Sequence, residues 1–379
     1  MATDPLKVGV LFSQTGSTAF VERTQCNATL LAIEAVNERG GVGGRPVLPV
    51  VRDAKSSVPE FVALASRLLE EDRVPLIFGC YMTNTRQALV PLVERRNAVL
   101  AYPAPYEGFE YSRNVFYGGA VPNQHIVPLA RHLMASAGKR FYLVGTRYTF
   151  PVESNRVMMT LVSEGKGEIV AERYVPLDVT RHELAALARH IRSKRPDVVF
   201  CTIVGEAAAR FHAACREEGI APSDTTIAGL TITEAEVQLM GADLACGHLT
   251  AATYFESIDS PANRRFLDRY RSAYGPCAHA NAMAETAWSL TSMVLAAADR
   301  CGSVDADALR DDMAGHSFEA PQGVIRLDPQ NNHFYLWPRV ARVRPDGGFE
   351  IIETARSAVK PDPYLINHGI IGSDPGGQD

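Results

Sequence analysis

The sequence predicts an α/β protein built as two doubly wound lobes with parallel sheets, joined by three crossovers. Three observations point there. Strand-like and helix-like runs alternate from the start of the chain; the strand-like runs are almost wholly apolar, as strands covered by helices on both faces must be; and the same alternation restarts after a break rich in glycine and proline.

In the first half the order is strand 7–12, helix 18–39, strand 47–52, helix 59–72, strand 74–78, helix 84–96 and strand 99–102. Gly40-Gly41-Val42-Gly43-Gly44-Arg45-Pro46 follows a helix and precedes a strand. A phosphate cradle needs the opposite order, so this segment reads as a helix C-cap and turn. At Gly118-Gly119-Ala120-Val121-Pro122-Asn123 the periodicity is interrupted, which marks a linker. The second half runs helix 124–137, strand 141–145, helix 153–164, strand 169–175, helix 181–194, strand 198–203, helix 207–218 and strand 226–228. Leu184, Leu187 and Ile191 recur there at helical spacing, leaving Arg189, Arg192 and Lys194 to water.

Long helices follow at 261–274, 281–300 and 304–314, then a β-rich end over 323–353. Extra helices suit a lobe that already has its sheet, so the chain is expected to return to the first lobe near Ala252 and leave it again near Asn331. Lobe one is then 1–121 plus 254–330, and lobe two is 122–253 plus 331–368. Residues 369–379, rich in Gly, Pro and Asp, read as a frayed tail.

Composition narrows the function classes. The chain has 379 residues, enough for two to three domains of ordinary size. Hydrophobic residues make up 46% and charged residues 21%, so a sizeable core can form. A net charge of −5 supplies no field for nucleic acid. The seven cysteines are odd in number and contain no C-x-x-C pair, which fits reduced thiols. The apolar run Val8-Gly9-Val10-Leu11-Phe12 is too short for the core of a leader, and no apolar stretch is long enough to cross a bilayer. A cytoplasmic location is the expectation. A periplasmic or cell-surface one applies if a leader has been removed.

In open parallel sheets, ligands lie outside the carboxyl ends of strands. The residues at those positions here are chiefly hydroxyls and aromatics: Tyr81, Thr83, Thr85, Tyr102 and Ala104 in the first half, and Tyr148, Phe150, Glu206, Thr231, Ile232 and Glu234 in the second. Thr83 or Thr85 is placed to cap the helix that begins there. The bulky rings are expected to leave a small cavity suited to a ligand of few atoms, or else to plug the interface between lobes. Glu206 and Glu234 could hold an ammonium or stand as solvated helix-start residues. Cys80, beside a helix N-terminus, is either a nucleophile or a small buried apolar residue. The ten histidines form no H-E-x-x-H, no metal or cofactor is expected, and His190 and His212 read as helix-surface residues.

Several segments resemble the amide sensor of bacterial amidase operons, within the branched-chain amino-acid-binding, type 1 class of periplasmic-type binding proteins. They are the block from Phe78 to Thr85, Tyr102-Pro103-Ala104-Pro105-Tyr106-Glu107-Gly108-Phe109-Glu110-Tyr111, Glu153-Ser154-Asn155, Thr233-Glu234-Ala235-Glu236-Val237, Ala320-Pro321-Gln322-Gly323, Gln330-Asn331-Asn332-His333 and Pro361-Asp362-Pro363-Tyr364. The resemblance implies a non-catalytic protein whose cleft closes on a short amide or urea-like ligand, located in the cytoplasm and holding an RNA-binding antiterminator inactive. Tyr81, Tyr102 and Tyr148 match cleft aromatics of that family, and Thr83 stands where it has a serine. Ala104, Ile232 and Glu206 depart from its pattern, which bears on ligand identity.

A cleft of tyrosines and threonines suits a neutral amide, whose oxygen needs donors and whose NH2 needs acceptors. The alternative is the substrate-binding component of an ABC transporter for urea, amides or branched-chain amino acids. A cysteine amidase using Cys80 is a third reading. No direct nucleic-acid contact and no membrane span are expected, and a homo-oligomer is compatible with every reading.

Overall fold

The computed structural model describes residues 4–222 and 224–366. Its first stretch alternates as β1 (Leu6–Phe12), α1 (Ala19–Glu38), β2 (Val47–Asp53), α2 (Val58–Glu70), β3 (Leu76–Gly79), α3 (Thr83–Arg95) and β4 (Val99–Tyr102), then adds the short β5 (Val115–Tyr117). The next comprises α4 (Pro122–Ser136), β6 (Arg140–Thr146), α5 (Thr149–Glu164), β7 (Glu168–Val175), α6 (Arg181–Lys194), β8 (Val198–Thr202), α7 (Glu206–Glu217), β9 (Thr226–Gly229), α8 (Glu234–Met240), α9 (Ala242–Ala245) and β10 (Leu249–Ala252). The chain continues through α10 (Pro261–Tyr274), α11 (Ala282–Cys301), α12 (Ala306–Ala314), β11 (Ser317–Ala320), β12 (Gly323–Asp328) and β13 (His333–Tyr335). It ends its described elements with β14 (Arg339–Val343) and β15 (Phe349–Thr354).

Two compact units result. Unit 1 runs to Ala120 and resumes over Ile258–Leu336; among the described residues, unit 2 takes Val121–Ser257 and 337–366. The returns fall later than 254 and 331. Phe255 is buried against Val237 and Phe349, and the Glu256 amide donates to Glu234, which keeps residues 254–257 in unit 2. β13 pairs with β12 and β5, which keeps residues 331–336 in unit 1. The expected tail 369–379 lies outside the described residues.

Unit 1 has an eight-stranded sheet of order β11-β12-β13-β5-β4-β3-β1-β2. β1 to β5 and β13 run parallel, while β11 and β12 join as an antiparallel hairpin. Unit 2 has seven strands, β15-β14-β10-β9-β8-β6-β7, parallel except at β14 and β15. Both sheets are therefore mixed, because the late strands return as neighbours in sequence and pair by tight turns.

Local chemistry explains the elements. On β6, Phe141 and Leu143 enter one core with residues of α4 and α5, while Tyr142 and Val144 enter the opposite core with residues of α6 and α7. Period-two alternation with helices on both faces makes the strand apolar throughout. α6 starts on a capping box in which Thr180 and Glu183 bond each other's amides, and it buries Leu184, Leu187, Ala188 and Ile191. α11 is buried around most of its circumference, lies against α1, and starts with the Asn281 side chain accepting from the Ala284 amide at 2.9 Å. At the turn between α1 and β2, Gly41 has φ +81, and a Cβ there would lie 2.0 Å from the Arg45 carbonyl oxygen. The glycine-rich segment is thus a turn closed on itself. Among the described residues no helix is long and apolar enough to cross a membrane.

Candidate functional site

In unit 1 the carboxyl ends of β3 and β4 carry the first group of candidates. α3 has Met82 as its N-cap residue, and neither threonine caps it. Thr85 Oγ1 donates to the Met82 carbonyl at 2.6 Å, and Thr83 Oγ1 donates to Glu107 Oε2 at 2.6 Å. Glu107 Oε1 accepts from Arg86 Nη2 at 3.0 Å, and Arg86 Nε donates to Glu110 Oε1 at 2.9 Å. The Arg86 side chain has no exposed surface; its guanidinium carbon lies 4.9 Å from the Tyr102 ring centroid and 4.3 Å from that of Tyr106. Burial alone would lower this guanidinium, but Tyr102, Glu107 and Glu110 hold it well above the ordinary arginine value. The Tyr102 phenol, raised by its own burial, donates to the Tyr81 carbonyl at 2.7 Å.

Tyr81, Thr83 and Tyr102 are thus brought into one hydrogen-bonded cluster. Ala104 is fully buried, pressed so close to Gly119 that a Cβ on Gly119 would lie 2.0 Å from the Ala104 carbonyl carbon. Behind the cluster Tyr117 stacks on His333 with centroids 4.4 Å apart, and Tyr106 Oη lies 2.6 Å from His333 Nε2. Burial lowers His333 to about 3, so its ring is neutral.

At the end of β1, the Ser13 amide donates to Glu22 at 2.6 Å and Thr18 Oγ1 donates to it at 2.5 Å. Burial pushes the Glu22 carboxyl up to about 7. Nothing local in the sequence marks Glu22 as buried: it sits in the first turn of α1, where an exposed acid is ordinary. Gln25, one turn on, donates to the Pro103 carbonyl at 2.9 Å. Cys80 is fully buried, and burial raises its thiol to about 12. Buried and raised, Cys80 does not match the exposed, low-pKa thiol that the amidase reading needs.

Unit 2 supplies the second group. Tyr148 is half-buried at the N-cap of α5 and packs on the core that contains Phe150, which is itself a core residue. Thr231 Oγ1 donates to the Ile203 carbonyl at 3.3 Å. Ile232 is buried in a different apolar cluster, with Val237, Phe255 and Phe349. Glu206 is exposed at the first position of α7. Glu234 is buried rather than solvated; Oε1 accepts the Glu256 amide at 2.9 Å, and burial pushes the carboxyl up to about 8. His212 is buried too, its ring 4.5 Å from that of His248, because α7 turns it inward; His190 is half-buried with Nδ1 2.8 Å from the Tyr142 hydroxyl. Among the described residues no group of three or more His, Cys, Asp or Glu is poised for a metal ion.

The family model for the periplasmic binding protein domain matches residues 6–369, and so runs through both units. The chain belongs to the periplasmic binding protein family. Leu/Ile/Val-binding protein homolog 6 of Brucella suis biovar 1 is 25% identical over 378 residues, covering 96% of this chain and 94% of that protein. The solute-binding protein of an ABC transporter from Rhodopseudomonas palustris BisB5, solved with 3,4-dihydroxybenzoic acid, superposes with a TM-score of 0.84 at 22% identity, covering 94% of this chain and 98% of that one. The branched-chain amino acid transporter substrate-binding protein of Streptococcus pneumoniae, solved with isoleucine, gives 0.81 at 20% identity, with 94% and 100% covered. At these identities the two solved proteins bear on the fold of this family member, two α/β units with mostly parallel sheets.

Proposed function

We propose that this chain is the substrate-binding component of an ABC-type uptake system, capturing a small organic solute without chemical conversion. The observation that carries this reading is the family match across residues 6–369, together with relatives of nearly equal length whose descriptions are those of solute-binding proteins. In this reading Tyr81, Thr83 and Tyr102 are the solute-contact candidates of unit 1, and Tyr148, Glu206 and Thr231 are those of unit 2. Ala104 in unit 1 and Phe150 and Ile232 in unit 2 are further contact candidates, each buried within its own unit. Hydroxyls and rings with few formal charges suit a molecule of few atoms: an amide, a urea-like compound or an aliphatic amino acid. A periplasmic or cell-surface location goes with this role.

A second reading, a cytoplasmic amide sensor acting on an RNA-binding antiterminator, is favoured by the segment from Tyr102 to Tyr111 that resembles such sensors. Neighbouring reading frames separate the two, since a permease supports uptake and an RNA-binding regulator supports sensing. A melting series with acetamide, propionamide, urea, leucine, isoleucine and 4-hydroxybenzoate tests solute binding itself. A ligand at 100 times its Kd adds about 2.7 kcal/mol to the folded state. A rise in Tm with one chemical class is expected, and no rise with any member would overturn both readings.

A further inference from the structure

The unit 1 hydroxyls offered to a solute have already committed their protons. Thr83 Oγ1 donates to Glu107 Oε2 at 2.6 Å, and Arg86 Nη2 donates to the other Glu107 oxygen at 3.0 Å. Tyr102 donates to the Tyr81 backbone carbonyl at 2.7 Å, a group that can only accept. A hydroxyl has one proton and two lone pairs, so toward any further partner both oxygens act as acceptors. The formal charges agree. Two carboxylates, Glu107 and Glu110, face one guanidinium, Arg86, whose charge lies over the rings of Tyr102 and Tyr106. These three groups sum to a formal charge of −1.

We propose that Glu107 is a specificity-determining positioning residue: by drawing in the Thr83 proton it leaves that hydroxyl only lone pairs to offer, so that Thr83 favours solutes presenting an N–H or O–H donor to it over carboxylates. The proposal rests on the reading that Thr83 meets the solute, and it adds which chemical group is met. It predicts preference for amide, urea or ammonium groups over the carboxylates of otherwise identical molecules.

Calorimetry on the full chain with two shape-matched pairs, propionamide against propionate and benzamide against benzoate at neutral pH, tests it. The amide of a pair that binds is expected to bind at least about 10-fold more tightly, since a mismatched buried partner costs about 5- to 150-fold. Thr83→Ser keeps the proton arrangement and should keep the preference, while Thr83→Val should weaken the amide by a similar factor. In Glu107→Gln the side-chain amide can donate to Thr83, freeing its proton, so the preference should shrink or reverse. If Glu107→Gln does not fold, the wild-type ratio and the two Thr83 variants decide the matter.

A carboxylate that binds as tightly as its amide, and is weakened by Thr83→Val, overturns the proposal while leaving Thr83 in the site. Bound solutes indifferent to both Thr83→Val and Tyr102→Phe show that the solute lies elsewhere, which removes this proposal and the site assignment but not solute binding. Absence of binding by every member of the pairs and of the melting series removes the function itself.

Discussion

Arg86 has no exposed side-chain surface, and its partners Glu107 and Glu110 are 4% and 19% exposed. Removing the cation from such a group leaves two carboxylates without their counter-ion. Arg86→Met should therefore destabilise unit 1 by about 3–5 kcal/mol, read as a lower urea midpoint; a change below ~1 kcal/mol would show the group to be hydrated. Three other carboxyls carry a pH signature. Burial raises Glu22 to about 7, Glu234 to about 8 and Glu236 to about 7, from an ordinary 4.5. Each binds its proton more tightly folded than unfolded, so the stability it lends is complete below about pH 4.5 and is lost as pH rises through 7 to 8. Buried His125, His248 and His333, lowered to about 4, 4 and 3, act oppositely: their contribution is present above 6.5 and lost on acidification. Of these groups only the carboxyls change above pH 6.5. Tm should fall between pH 6.5 and 8.5, and Glu234→Gln should flatten that fall; an unchanged slope in the variant would place Glu234 in water.

At the scale of elements, what can be read from sequence follows what is local. α6 and α10 span 181–194 and 261–274 as expected, because a capping residue and a helical stripe lie within each. β5 is short and exists because β4 and β13 flank it, a pairing between distant parts of the chain that no local pattern encodes. β11 reads as exposed and polar, and it is held by the hairpin with β12. The candidate site shows the same division. The position of Thr83 at a strand end is visible from alternation, but its bond to Glu107 is not, since Glu107 is drawn in by Arg86 from a separate loop. Glu107 and Glu110, three apart in an aromatic block, are the available hint of a buried cation. Close approach is testable at Gly119, where an alanine Cβ would strike the Ala104 carbonyl carbon. Gly119→Ala should cost about 1–3 kcal/mol, seen as a lower Tm. An unchanged Tm would mean the two loops are free to separate.

Over the whole molecule, neither unit is continuous in sequence. α11 covers α1 from the far end of unit 1's chain, and β14 completes the unit 2 sheet beside β10 from beyond the return at Trp337. A chain ended at Ser257 would lose α10 to α12 and β11 to β13 from unit 1 and β14 and β15 from unit 2. It should show no sharp urea transition by near-UV circular dichroism, because β5 and β10, interior strands of the whole protein, would become edges and α1 would lose its cover from α11. A cooperative transition in that fragment would mean that the early strands suffice on their own.

The order of synthesis gives this connectivity a further meaning. β5 emerges from the ribosome early, yet the strand that flanks it, β13, begins only at His333. At ordinary rates of elongation that interval lasts roughly 10–40 s. Throughout it the nascent polypeptide displays apolar ridges and unsealed strand edges, so chaperones or translocation machinery arriving in that window meet an unfinished protein.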